Sequence, residues 1–144
     1  MVEESGSILD KLGVDIGFKV THMKTVTEAD INLFAEVSGD FNPVHMRQEY
    51  AEKTFFGGRI AHGIISLGFI SAAMAKLPGL VIFLGASDRF LAPVRIGDTI
   101  TATGEVTAVR KDKGILTLKT SCTNQEGQTI VEGEWTVRLY EAPS

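Results

Sequence analysis

The chain has little of the material on which several kinds of site are built. It holds one cysteine, Cys122, and three histidines, His22, His45 and His62, among 144 residues. One thiol excludes a disulfide framework and any multi-thiolate centre. The histidines follow neither HxxxH nor HExxH spacing, so no metal is expected. There is no phosphate loop, nucleophile elbow or dinucleotide fingerprint, because Gly57-Gly58 and Gly85 lack the required spacing. Basic residues are the minority, 14 against 18 acidic ones for a formal net charge of −4. That argues against nucleic acid as a partner, which needs a basic footprint. The longest apolar stretch, Gly63 to Leu77, has 15 residues and carries Ser66 and Ser71. A bilayer span needs about 20, so this stretch reads as a buried helix and no membrane partner is expected. Met1 to Asp10 lacks the basic and apolar regions of a signal peptide. The expectation is a cytoplasmic protein with residues 1–10 flexible.

What is present is ordinary globular composition, 44% hydrophobic and 22% charged. The length fits a single domain, 1–144, with its core at about 18–140. Phe18 to Lys24 reads as a first strand. Thr27 caps a helix running to about Ser38, with Ile31, Phe34, Ala35 and Val37 as its apolar stripe and Gly39 as its stop. Asn42 before Pro43 is a natural cap for a further segment, Val44 to Lys53. The helix beginning near Gly63 is apolar all round and predicts burial on most sides, with Pro78-Gly79 ending it.

Strands follow. Leu80 to Leu84 and Ser87 to Leu91 read as two. Thr99 to Val109 alternates, with Ile100, Ala102, Val106 and Ala108 on one face. Leu116, Leu118, Thr120 and Cys122 share a face of the next strand, and Val131, Gly133, Trp135, Val137 and Leu139 line the last. The fold class this predicts is α+β, a curved antiparallel sheet on one buried helix.

Chemistry could reside in two places. Asp40 and His45 would lie about 140° apart on one continuous helix, but the Asn42-Pro43 break lets a turn fold the carboxylate toward the imidazole. Such a pair can hold a water and move protons near neutral pH. The alternative is that Asp40 and Asn42 are turn residues and His45 an exposed helix residue. His62-Gly63 opens the buried helix, and its free N–H groups could receive an oxyanion on a thioester; alternatively Gly63 is merely small for packing. Ser71, a little over two turns on, could meet a ligand or its own helix backbone.

Together these residues resemble the MaoC-like (R)-specific enoyl-CoA hydratases of the hot-dog superfamily. The resemblance is carried by Phe34 to His45 (FAEVSGDFNPVH), by Ala61-His62-Gly63, and by Phe90 to Asp98 (FLAPVRIGD). It spans about Lys24 to Tyr140. It implies a hot-dog fold, with Asp40 and His45 gripping the catalytic water and Gly63 donating its N–H to the thioester carbonyl. Ser71 and Asn42 are implied as substrate contacts. The chain departs from the family at Arg47, where an acidic residue is usual. The implied reaction adds water to a trans-2-enoyl thioester, of CoA or an acyl-carrier protein, giving the (R)-3-hydroxyacyl product. The thioester is the substrate, and no cofactor is needed. A homodimer formed through sheet edges is implied, with Met74, Phe69 or Phe83 as candidates to close an acyl tunnel. The rival readings are a hot-dog acyl-CoA thioesterase and a non-catalytic acyl-thioester-binding module.

Overall fold

Apolar–polar alternation drives the second half of the chain into a sheet, and one apolar segment of the first half supplies what the sheet covers. The computed structural model describes residues 7–144. Its elements are α1 (Ile8–Leu12), β1 (Lys19–Thr25), α2 (Glu28–Ser38), α3 (Pro43–Met46), α4 (Gln48–Ala51), α5 (Ile65–Met74), β2 (Leu80–Phe90), β3 (Thr99–Arg110), β4 (Ile115–Thr123) and β5 (Thr129–Tyr140). The strands form one antiparallel sheet in the order β1-β3-β4-β5-β2. Strands β3, β4 and β5 are a meander, while β1 and β2 occupy the two edges. Helix α5 packs on β3, β1 and β4, so the curved sheet closes round it in the expected α+β hot-dog arrangement.

Period-2 alternation puts one face of each inner strand in the core. Ile100, Ala102 and Val106 of β3, Leu116, Leu118 and Cys122 of β4, and Val131, Trp135, Val137 and Leu139 of β5 are all buried. They meet Ile65, Phe69, Ile70, Ala73 and Met74 of α5 in a single cluster.

Several expectations need correction. Residues 1–6 of the expected flexible segment lie outside the described residues, but Ile8–Leu12 is helical and Leu9 is fully buried in the core. Val37 is 86% exposed and does not join the α2 stripe, because that helix buries only Ile31 and Ala35. Helix α5 starts two residues after Gly63, and Ile64, Gly68 and Ala75 are exposed, so it is not covered on all sides. The Val44 to Lys53 segment is two short helices meeting at the extended Arg47. A register shift between Val106 and Ala108 turns Ala108 outward.

The two predicted strands after Pro78 are one, β2, with a register shift between Phe83 and Gly85. It is exposed on both faces: Leu80, Ile82, Phe83, Leu84 and Phe90 each keep 42–51% of their surface. Its outer edge pairs with no other strand among the described residues.

Candidate active site

The site is assembled where two capped turns meet the head of α5. Thr27 and Asp30 form a capping box at the start of α2: Asp30 N donates to Thr27 Oγ1 at 3.2 Å and Thr27 N to Asp30 Oδ2 at 2.9 Å. Gly39 ends the helix in the left-handed region with φ 82°, which costs a glycine little. A relay of short side chains then shapes the turn. Asp40 N donates to Ser38 Oγ, Asn42 N to Asp40 Oδ1, and Val44 N to Asn42 Oδ1, at 3.1, 3.1 and 3.2 Å. With Pro43 as the first residue of α3, this turn delivers His45 inward.

His45 is 8% exposed, so it is not the exposed helix residue of the alternative reading. Its Nδ1 lies 2.9 Å from the Ile60 carbonyl. A carbonyl only accepts, which assigns the proton to Nδ1 and leaves Nε2 free to accept when the ring is neutral. Burial, helped by the nearby His62 ring, holds the His45 pKa below the ordinary imidazole value. The Ile60 bond and Asp40 act in the other direction without reversing it. Arg59 anchors the segment from the other side: its Nε donates to the His45 carbonyl at 2.7 Å, and its Nη1 pairs with Glu28 of α2 at 2.8 Å.

Asp40, His45 and His62 come together, each offering a ligating atom within 4.8 Å of the others. A water hydrogen-bonded at about 2.8 Å to each of two groups spans up to about 5.6 Å, so the cluster has room to hold one between two of its members. Beside this cluster opens a largely apolar cavity of about 410 Å³, whose walls include His45, Gly63, Phe56, Phe90, Leu91 and Val131. Among the described residues the Gly63 N–H has no acceptor, and it stands at the positive end of α5. A Cβ at Gly63 would lie 3.1 Å from Phe90 Cδ1, so glycine leaves room between the helix head and that ring.

Of the residues expected from the sequence, His45 and Gly63 line the cavity, and Asp40 stands beside His45 without lining it. Asn42 spends its side-chain oxygen on the α3 cap, and Asn42 does not line the cavity. Ser71 is half-buried on α5 and also stays outside it. The serine that lines the cavity is Ser66, fully buried, its Oγ without a partner. Its position three residues after Gly63, on the same helix face, was the available signal. None of Phe69, Met74 and Phe83 lines the cavity. Met74 is fully buried in the core and Phe83 packs on Trp135 at 5.2 Å. Arg47, the departure from the motif, is exposed and paired with Glu49 at 3.2 Å.

Comparison with known proteins places the chain as a whole. The "(R)-specific enoyl-CoA hydratase" of Rhodospirillum rubrum is 50% identical over 118 residues, which is 81% of each chain. The protein of the same description from Aeromonas caviae is 40% identical over 128 residues, 88% of this chain and 96% of that one. The solved structure described as the (R)-hydratase from A. caviae involved in PHA biosynthesis superposes with a TM-score of 0.84 over 88% of this chain and 98% of the other. Residues 13–130 match the family described as the MaoC like domain, and the chain belongs to that family.

Proposed function

We propose that the protein adds water to trans-2-enoyl-CoA to form (R)-3-hydroxyacyl-CoA, and catalyses the reverse dehydration. The observation that carries this reading is the approach of Asp40 to His45, their ligating atoms within 4.8 Å, beside an apolar cavity that His45 and Gly63 line. The 50% and 40% identical relatives support the substrate class. In this reading the two hydrogens of a water are held by the Asp40 carboxylate and His45 Nε2, which leaves an oxygen lone pair aimed at C3 of the alkene. The thioester oxygen accepts from the Gly63 N–H, so negative charge arriving there during addition meets the positive end of α5. As the C3–O bond forms, the water gives one proton to the Asp40–His45 pair, and the pair returns a proton to C2. Ser66 offers a hydrogen bond inside the cavity; Ser71 and Asn42 take substrate only if the substrate extends beyond it.

The edge strand β2 supports a homodimer, because its open row of backbone groups and exposed apolar side chains suits pairing with a second copy. Since β2 ends in Phe90, which lines the cavity, such pairing would also buttress the site. No helix among the described residues is long and apolar enough to cross a membrane, and the proposed location is the cytoplasm. The test of function is incubation with crotonyl-CoA and a series of longer trans-2-enoyl-CoA and acyl-carrier-protein thioesters. Loss of enoyl-thioester absorbance without release of free thiol, with product oxidised by an (R)-specific dehydrogenase, is expected. Release of CoA would replace hydration by thioester hydrolysis, and no turnover with any substrate would favour a binding module.

A further inference from the structure

We propose that His62 is a positioning residue for this reaction, one that locks the Asp40 backbone and the face of His45 to the head of α5. The inference rests on the hydratase reading and adds a role for a residue that touches neither water nor thioester. His62 Nε2 donates to the Asp40 carbonyl at 2.9 Å. The other hydrogen bonds of Asp40, to Ser38 Oγ and from Asn42 N, stay within two residues of it. The His62 bond is therefore what joins this exposed turn to a distant part of the chain. The same ring stacks on His45 with centroids 4.1 Å apart and planes at 34°, and Phe34 packs 4.8 Å away.

His62 is only 1% exposed, and its Nδ1 is buried without a partner. A phenyl ring would fill this place and leave no nitrogen unpaired, so packing does not account for an imidazole here. The bond to Asp40 does. His62 also precedes Gly63 directly, so one dipeptide fixes the water-holding pair and the thioester donor relative to each other. A misplacement of about 1 Å between such groups costs on the order of 100-fold in rate.

Two substitutions separate the donor from the ring. His62→Phe keeps an aromatic ring and loses the N–H; His62→Gln keeps an N–H near the Nε2 position and loses the ring. On crotonyl-CoA, His62→Phe should lose on the order of 100-fold in kcat with little change in KM, and His62→Gln less than about tenfold. The groups facing His45 are Asp40, Arg59 through the His45 carbonyl, and His62. Removing the His62 ring should move the acid limb of the His62→Gln pH profile upward. If His62→Phe keeps kcat within twofold, or His62→Gln is as impaired as His62→Phe, the inference is overturned. Should His62→Phe fail to fold, the His62→Gln profile decides, and an unshifted limb overturns it. His45→Gln is run alongside: full activity in that variant would instead sink the assignment of the site, and this inference with it.

Discussion

Gly63→Ala isolates the oxyanion contribution from the packing around it. Gly63 has no positive φ, so alanine is compatible with the backbone and the added methyl acts by contact alone. Its Cβ would stand 3.1 Å from Phe90 Cδ1 and 3.4 Å from Cε1. Carbon atoms pack comfortably from about 3.5 Å, so the ring must retreat by roughly half an ångström. Phe90 is 50% exposed at the end of an edge strand and has space to move. The strain should sit at the low end for overpacking, about 1 kcal/mol, and lower Tm by about 4 °C. The same methyl occupies the approach of the thioester oxygen to the Gly63 N–H. Loss of one such donor costs on the order of 10²–10³ in kcat, about 3–4 kcal/mol. The two costs differ enough to be read separately, by thermal melting and by crotonyl-CoA hydration. Adding Phe90→Leu to Gly63→Ala should restore Tm and leave kcat low. Recovery of kcat in that double variant, or a Gly63→Ala enzyme within threefold of the native rate, would refute the oxyanion assignment.

Asp40→Asn and His45→Gln should each lower kcat by about 10³ or more, and because Asp40 is exposed, circular dichroism and Tm of Asp40→Asn should match the native protein. The depressed pKa of His45 has a defined sign: the unfolded chain takes up a proton there near pH 6.5, the folded chain only at lower pH. Its contribution to stability is present above pH 6.5 and is lost as pH falls through the folded value. Urea melts at pH 7.5 and 5 test this, and the acid limb of kcat/KM should lie below 6.5, moving lower still in Asp40→Asn. Gly133→Ala should destabilise by more than about 2 kcal/mol, since its Cβ would run into the Ser87 carbonyl and lie 2.6 Å from Asp88 Oδ1 across the β2–β5 pairing. Denaturant melts measure it, and a neutral result would mean that this strand pair adjusts freely.

What was legible in the sequence was local. Thr27, Gly39, Asn42 and Pro43 act through hydrogen bonds or dihedrals a few residues long, and each sits where its chemistry predicts. Alternation likewise exposed the buried faces of β4 and β5. Illegible were features set by partners far along the chain. Neither the reach of Arg59 to the His45 carbonyl nor the stack of His45 on His62 has a spacing that announces it. Ser66 rather than Ser71 lines the cavity because the rotation of α5 is fixed by its packing on the sheet, where Cys122 Sγ donates to the Ser66 carbonyl at 3.6 Å. The outward turn of Ala108 follows from one extra residue in the β3–β4 pairing, and that break leaves no mark in the alternation itself.

Cys122 has a practical consequence beyond the core it helps fill. It is the chain's single thiol, fully buried on the inner face of β4, and burial pushes its pKa up to about 12. Since the thiolate is the reactive form, the native protein should be silent toward thiol-directed dyes. Colour developed during turnover then reports free CoA with no background from the enzyme. In denaturant the silence ends, and uptake of one dye per chain marks the first exposure of Cys122. The chain thus carries an internal clock for the breathing of its sheet, readable in the same cuvette as its chemistry.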